Sequence, residues 1–220
     1  DLTLMFAGEK IPSGIQEYAA TAQELKTKEE IYSAMVVYGL LTYENGRVFI
    51  PNKELMGSYA AMMKKEKSLG YIYRLANLSE QMLQATLAGD TGTMTQIIQY
   101  AHNTEVPILS YNNETELSAI VNLVYLSARD RYRVEREDRA GKGYVDFIFY
   151  PLRADQDGII LELKVNQTPD DAIAQIKERE YALRFKGKLA EKTVHTGRIL
   201  AVGIGYNKVT KEHACKVEEL

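Results

Sequence analysis

Asp146, Glu162 and Lys164 are the residues whose types and spacing could carry chemistry, with fifteen residues between Asp146 and Glu162. In an extended strand successive side chains alternate faces, so Glu162 and Lys164 project to one side with Ile160. Leu161, Leu163 and Val165 point to the other. An acid and a lysine on an otherwise apolar strand are costly unless paired or functional. Asp146 is set among Val145, Phe147, Ile148 and Phe149, and a turn around Asp155-Gln156-Asp157-Gly158 could fold that stretch back beside Glu162. Two adjacent carboxylates repel, and the usual remedy is a hard divalent cation with oxygen ligands. A neighbouring ammonium can orient a water, stabilise a pentavalent phosphate, or act as a base if its pKa is lowered. The competing reading is a strand-embedded salt bridge of Lys164 with Asp146 or Glu162. Spacing alone does not separate the two.

The surrounding elements must position these groups. Asn113 and Glu116 suit a capping box for a helix over 114–128 that buries Leu117, Ile120, Val121, Val124 and Ala128. Strands are expected near 131–137, 143–150 and 158–165. Thr168-Pro169-Asp170-Asp171 then opens a helix running to about Phe185, with an N-cap, Pro at its first position and acids at its positive end. Arg198 to Tyr206 reads as a strand covered on both faces. The order α-β-β-β-α-β indicates an α/β domain over 106–220.

Residues 1–105 read as helical units with one hairpin. The periodicity puts Ile31, Ala34, Met35, Tyr38 and Leu41 on one face of a helix over 29–41. Asn45-Gly46 between Thr42-Tyr43 and Val48-Phe49-Ile50 is a strong two-residue hairpin signal. Helices over about 53–65, 72–88 and 93–102 follow, with Gly89-Asp90-Thr91-Gly92 as a turn between the last two. Helix, hairpin, helix is winged-helix-like; a helical subdomain with a decorative hairpin is the plainer alternative. Thr104 to Ser110 looks like the boundary between the two parts.

The stretches Glu137-Asp-Arg-Ala-Gly-Lys-Gly-Tyr-Val-Asp146, Ile159-Ile-Leu-Glu-Leu-Lys164, Ala174-Gln-Ile-Lys-Glu-Arg-Glu-Tyr181 and Val202-Gly-Ile-Gly-Tyr206 together resemble the PD-(D/E)XK nuclease superfamily. They look most like the branch found C-terminal to bacterial AAA-ATPase-like domains. The resemblance covers about 110–218 and implies a restriction-endonuclease-like core. It implies that Asp146 and Glu162, with the Leu163 backbone carbonyl, bind Mg²⁺ or Mn²⁺, and that Lys164 positions the attacking water. The first-helix acid of the family falls on Glu114. Gln175 and Tyr181 match positions that contact substrate or brace the site. Val145 stands where the superfamily name has Pro. Tyr144 stands where many relatives have Arg, a loss that would weaken phosphate binding, with Lys142 close by. The N-terminal part, through Tyr38-Gly-Leu-Leu-Thr-Tyr43 and Ile50-Pro-Asn-Lys-Glu-Leu-Met56, resembles the segment linking the ATPase-like domain to the nuclease domain.

Composition bounds these readings. With 220 residues, 45% hydrophobic and 26% charged, the chain is ordinary for a globular protein. No apolar run approaches the roughly 18–20 residues of a membrane span. One cysteine excludes an internal disulfide, and the three histidines lack zinc-ligand spacing. No Gly-rich phosphate loop occurs, so no nucleotide site is expected within the chain. A cytoplasmic setting is the default. Asp1 rather than Met at the start is expected of a piece of a longer protein, and tag removal leaves the same mark. The net charge is −3, with 9 Lys/Arg against 12 Asp/Glu in residues 1–105 and 18 against 18 in the rest. A basic cluster at Arg129, Arg131, Arg133, Arg136 and Arg139 permits a nucleic-acid partner without requiring one. The leading expectation is a Mg²⁺-dependent phosphodiesterase acting on DNA and coupled to an ATPase module. A catalytically silent module that binds nucleic acid or a protein is the second. A scaffold for interaction or homo-oligomerisation is the third.

Overall fold

Local signals set most of the elements in the computed structural model, which describes residues 2–6, 8–15, 25–103, 114–135, 145–185 and 195–220. The chain forms two compact units, Asp1–Tyr73 and Arg74–Leu220. The boundary expected from the sequence, at 105/106, lies outside the described residues. The helices just before it belong to the second unit, because they pack over that unit's own elements.

In the first unit a short helix α1 (Leu2–Phe6) and strand β1 (Ile11–Pro12) precede helix α2 (Lys28–Val37). Thr27 caps α2 in a reciprocal capping box with Glu30. Strands β2 (Thr42–Glu44) and β3 (Arg47–Phe49) form the expected hairpin. Its turn residues Asn45 and Gly46 both have positive φ, 50° and 77°, as a type I′ turn requires. The sheet order is β1-β3-β2, with Val48 fully buried. Helix α3 (Lys53–Lys65) starts where Asn52 accepts the Leu55 N–H at 2.9 Å. The helical face expected for α2 is only partly realised. Ala34 and Leu41 are buried, but Ile31 is exposed and Tyr38 is 69% exposed. The helix ends at Val37, and Gly39 turns the chain with φ 71°, which takes Tyr38 off the buried stripe.

The second unit begins with helices α4 (Tyr71–Ala88) and α5 (Thr91–Asn103), α4 entering it at Arg74. The Asp90 carboxylate holds the Thr93 N–H at 3.0 Å and its hydroxyl at 2.6 Å, so α5 starts earlier than the sequence suggested. Helix α6 (Glu114–Val124) and a 3₁₀ turn over Leu126–Asp130 follow. Strands β4 (Tyr132–Glu135), β5 (Phe147–Pro151), β6 (Gly158–Val165), β7 (Ile199–Asn207) and β8 (Glu212–Glu219) form one sheet in that order. Only β6 and β7 are parallel. Their crossover carries helix α7 (Pro169–Glu178), giving a mixed α/β core of restriction-endonuclease type. Helix α7 covers one face through Ile173 and Ile176, which pack with Ile148, Tyr150, Ile160 and Phe185. Helix α6 covers the other; Tyr125 just beyond it meets Phe149 ring to ring at 5.2 Å. Every residue from Leu117 to Ala128 is buried. Buried hydroxyl pairs, Ser79 with Ser127 and Thr86 with Tyr125, tie α4 to the end of α6 and the turn after it.

Two differences from the sequence reading have local causes. The helix expected to reach Phe185 stops at Glu178, because Glu180 adopts φ 50° and a 3₁₀ turn over Tyr181–Arg184 takes over. Strand β8 was not anticipated. It is an edge strand whose alternation is carried by His213, Cys215 and Val217, a weak apolar signal among charged residues. His213 and His102 meet at 5.3 Å between ring centroids beside Tyr206, although their sequence positions suggested no relation. Among the described residues no helix is long and apolar enough to cross a membrane.

Candidate active site

Antiparallel register brings the two acids together. Phe147 pairs with Leu161 and Ile148 with Ile160, so the residue before β5, Asp146, falls opposite Glu162. Asp146 sits at the bend that leads into β5 rather than within the strand. Its Oδ2 accepts the Leu163 N–H at 2.7 Å. A strand residue's N–H and C=O face the same neighbour, so the Leu163 carbonyl also faces the β5 side, at a level where β5 has not yet begun.

Glu162 and Lys164 share the α7 face of β6, as their alternation required. Lys164 Nζ donates to Glu162 Oε1 at 2.8 Å and to Gln175 Oε1 at 2.7 Å. Gln175 Nε2 donates to the same Glu162 oxygen at 2.5 Å. The amide of α7 thus bridges the lysine and the acid. The salt-bridge alternative raised by the spacing is therefore present in the geometry, between Lys164 and Glu162.

That ion pair does not satisfy the site. Glu162 is 3% exposed, and its Oε2 is buried with no hydrogen-bond partner among the described residues. Burial first, and the Asp146 charge second, push the Glu162 carboxyl up to about 7, against the opposing pull of Lys164. A buried carboxyl with an unbonded oxygen, beside a second acid, suits a divalent cation with oxygen ligands. The residues present therefore fit Mg²⁺ or Mn²⁺, which Asp146, Glu162 and the Leu163 carbonyl would hold. Among the described residues no three His, Cys, Asp or Glu side chains converge.

The other expected site residues are placed as follows. Gln175 is half-buried and turned to the acids. Tyr181 is buried in the core cluster. Its phenol is pushed up by burial and then by the Glu162 charge, which puts it close to the site. Gln175, as placed, bonds both Glu162 and Lys164. Glu114 opens α6, but its side chain, like Lys142 and Tyr144, lies outside the described residues. In the basic cluster, Arg129 bonds Asn122 at 3.0 Å and Arg131 bonds Glu80 at 2.5 Å. Arg133 pairs with Glu135 and stacks on Tyr150. These three are engaged within the protein, and Arg136 and Arg139 lie outside the described residues. Gly203 and Gly205, which the sequence reading quoted within Val202 to Tyr206 without a role of their own, are the register partners of Glu162 and Lys164. A Gly-x-Gly inside an apolar strand was the available signal.

Residues 112–205 match the family model of the PD-(D/E)XK nuclease superfamily. The matched segment takes in Asp146, Glu162, Lys164, Gln175 and Tyr181, and it supports that superfamily for this part of the chain. No curated protein matches the chain.

Proposed function

We propose that the chain is a metal-dependent nuclease that hydrolyses phosphodiester bonds in DNA, as the C-terminal module of an ATPase-linked protein acting in the cytoplasm. The observation that carries the reading is the Glu162 carboxylate, buried, short of a partner at Oε2, and placed beside Asp146 and Lys164 within the matched segment. A bound Mg²⁺ or Mn²⁺ supplies Lewis-acid polarisation of the phosphodiester and a more acidic water. Asp146, Glu162 and the Leu163 carbonyl hold the cation. The Leu163 N–H fixes one Asp146 oxygen. Lys164 orients the nucleophile with its ammonium, and Gln175 keeps that ammonium in line with Glu162. Glu114 is the fourth member of the set and the family's first-helix acid. Lys142 takes the phosphate-binding task that an arginine at 144 has in relatives. Incubation with linear, circular and single-stranded DNA plus Mg²⁺ or Mn²⁺ tests the proposal. Loss of cleavage in Glu162→Ala and Lys164→Ala is expected; wild-type silence under every metal and substrate would overturn it.

The Lys164–Glu162 ion pair favours a second reading, a silent module that binds nucleic acid or a protein partner. Calorimetric titration with Mn²⁺ separates the two. The nuclease reading expects binding that disappears in Glu162→Ala, and the silent module expects none.

A further inference from the structure

Glycine inside a strand costs stability and marks a close approach, and β7 carries two, Gly203 and Gly205, directly beside the acids. Gly203 is the parallel register partner of Glu162, and Gly205 of Lys164. Both therefore lie on the α7 face. The chain leaves β6 at Asn166, in a left-handed conformation with φ 60°, and the Asn166 N–H donates to the Tyr206 carbonyl at 2.7 Å. It then passes straight over β7 into α7. A Cβ at 203 would stand 3.1 Å from the Ala172 Cβ and nearer than 3.0 Å to the Pro169 carbonyl oxygen, a backbone atom that cannot swing aside. A Cβ at 205 would stand 2.9 Å from the Gln167 carbonyl oxygen and 3.0 Å from Pro169 Cδ.

The seat fixes more than the first turn of α7. Thr168, Ala172 and Gln175 follow one stripe of the helix, at i, i+4 and i+7. Thr168 is the N-cap, Ala172 is fully buried, and Gln175 makes the bonds to Glu162 and Lys164. Lifting this stripe by about 1 Å would stretch bonds of 2.5 and 2.7 Å to or beyond the limit of hydrogen bonding. We propose that Gly203, seconded by Gly205, is a positioning residue of the site: its missing side chain seats α7 low enough on β7 for Gln175 to hold Lys164 against Glu162. The consequence for turnover rests on the nuclease reading, but the seating itself does not.

The test reads the Gln175 side-chain amide by NMR in the whole chain, with the signal assigned by its loss in Gln175→Ala. In the wild type that pair is expected away from free-amide positions and slow to exchange. Gly203→Ala is expected to return it to the free-amide position while the β6 and β7 backbone signals persist. Gly205→Ala, a milder intrusion, is expected to move it part of the way. Under nuclease conditions Gly203→Ala and Gln175→Ala are each expected to lower turnover by a similar factor, about tenfold to a hundredfold, with the double variant no lower. A folded Gly203→Ala with an unmoved Gln175 signal would overturn the proposal, and so would losses that multiply in the double variant. If Gly203→Ala does not fold, an unmoved signal in Gly205→Ala has the same force. A wild type that cleaves nothing defeats the nuclease reading and leaves the amide signal to decide the seating.

Discussion

Replacing Glu162 by Gln should stabilise the metal-free protein, increasingly so as the pH rises. The carboxyl is pushed from 4.5 up to about 7 by burial and by Asp146. A folded-state pKa above the unfolded one means that the folded protein keeps this proton longer. The stability it contributes is fully present below about pH 4.5 and is lost as the pH rises through about 7. At 1.36 kcal/mol per pKa unit, the wild type loses about 3 kcal/mol across that window. Glutamine copies the protonated acid and does not titrate. The stability of Glu162→Gln minus that of the wild type should therefore climb by about 3 kcal/mol between about pH 4 and pH 8, whatever its starting value. Urea unfolding in a chelator, followed through the β6 and β7 amide resonances, isolates the second unit. A difference that stays flat with pH would refute the argument, because it would mean that Glu162 ionises in the folded site as easily as in water. Added Mn²⁺ should remove the wild-type deficit and leave the variant unchanged, since a cation bound to the native state stabilises by mass action.

Over much of the same pH window, and with the opposite sign, His213 is buried against His102 and held down at about 3, so it charges on unfolding below about pH 6.5. Its folded pKa lies below the unfolded one, so its own contribution to stability falls as the pH drops below about 6.5, by about 3 kcal/mol near pH 4.5, opposing the gain from Glu162. The stability of His213→Asn minus that of the wild type, from urea unfolding, should climb by most of that amount as the pH falls from about 6.5 to about 4.5. Thr168→Ala removes one side of the α7 capping box and should cost about 1 kcal/mol in urea, with Asp171→Ala on the same background adding little. Phe185→Ala empties a buried ring position against Tyr150 and Gly158 and should cost about 3–5 kcal/mol, read in the same way.

Much of the second unit was legible because its signals are local. Strand β6 begins and ends where its apolar run does, and its alternation alone put Glu162 and Lys164 on one face. In the first unit Asn45-Gly46 announced the hairpin, and in the second Thr168-Pro169 announced the start of α7. Its end was not legible, since the break at Glu180 needs a left-handed residue that no Gly or Asn announces. Strand β8 was hidden because an edge strand needs only a buried His213 and half-buried Cys215 and Val217 to hold its place. Within the site, residue types and parity were visible. The Leu163 N–H on Asp146 and the Gln175 bridge were not, because both depend on register between segments far apart in the chain. Gly203 and Gly205 stood in plain view, but their meaning required knowing which helix crosses above them.

The central claim is that Asp146 and Glu162 hold a divalent cation for phosphodiester hydrolysis. The most direct measurement is cleavage of DNA by the wild type and Asp146→Ala across a Mn²⁺ titration, with metal binding followed calorimetrically on the same samples. Cleavage is expected to rise with metal occupancy in the wild type, and both are expected to vanish in Asp146→Ala. Metal binding or cleavage that survives in Asp146→Ala would contradict it.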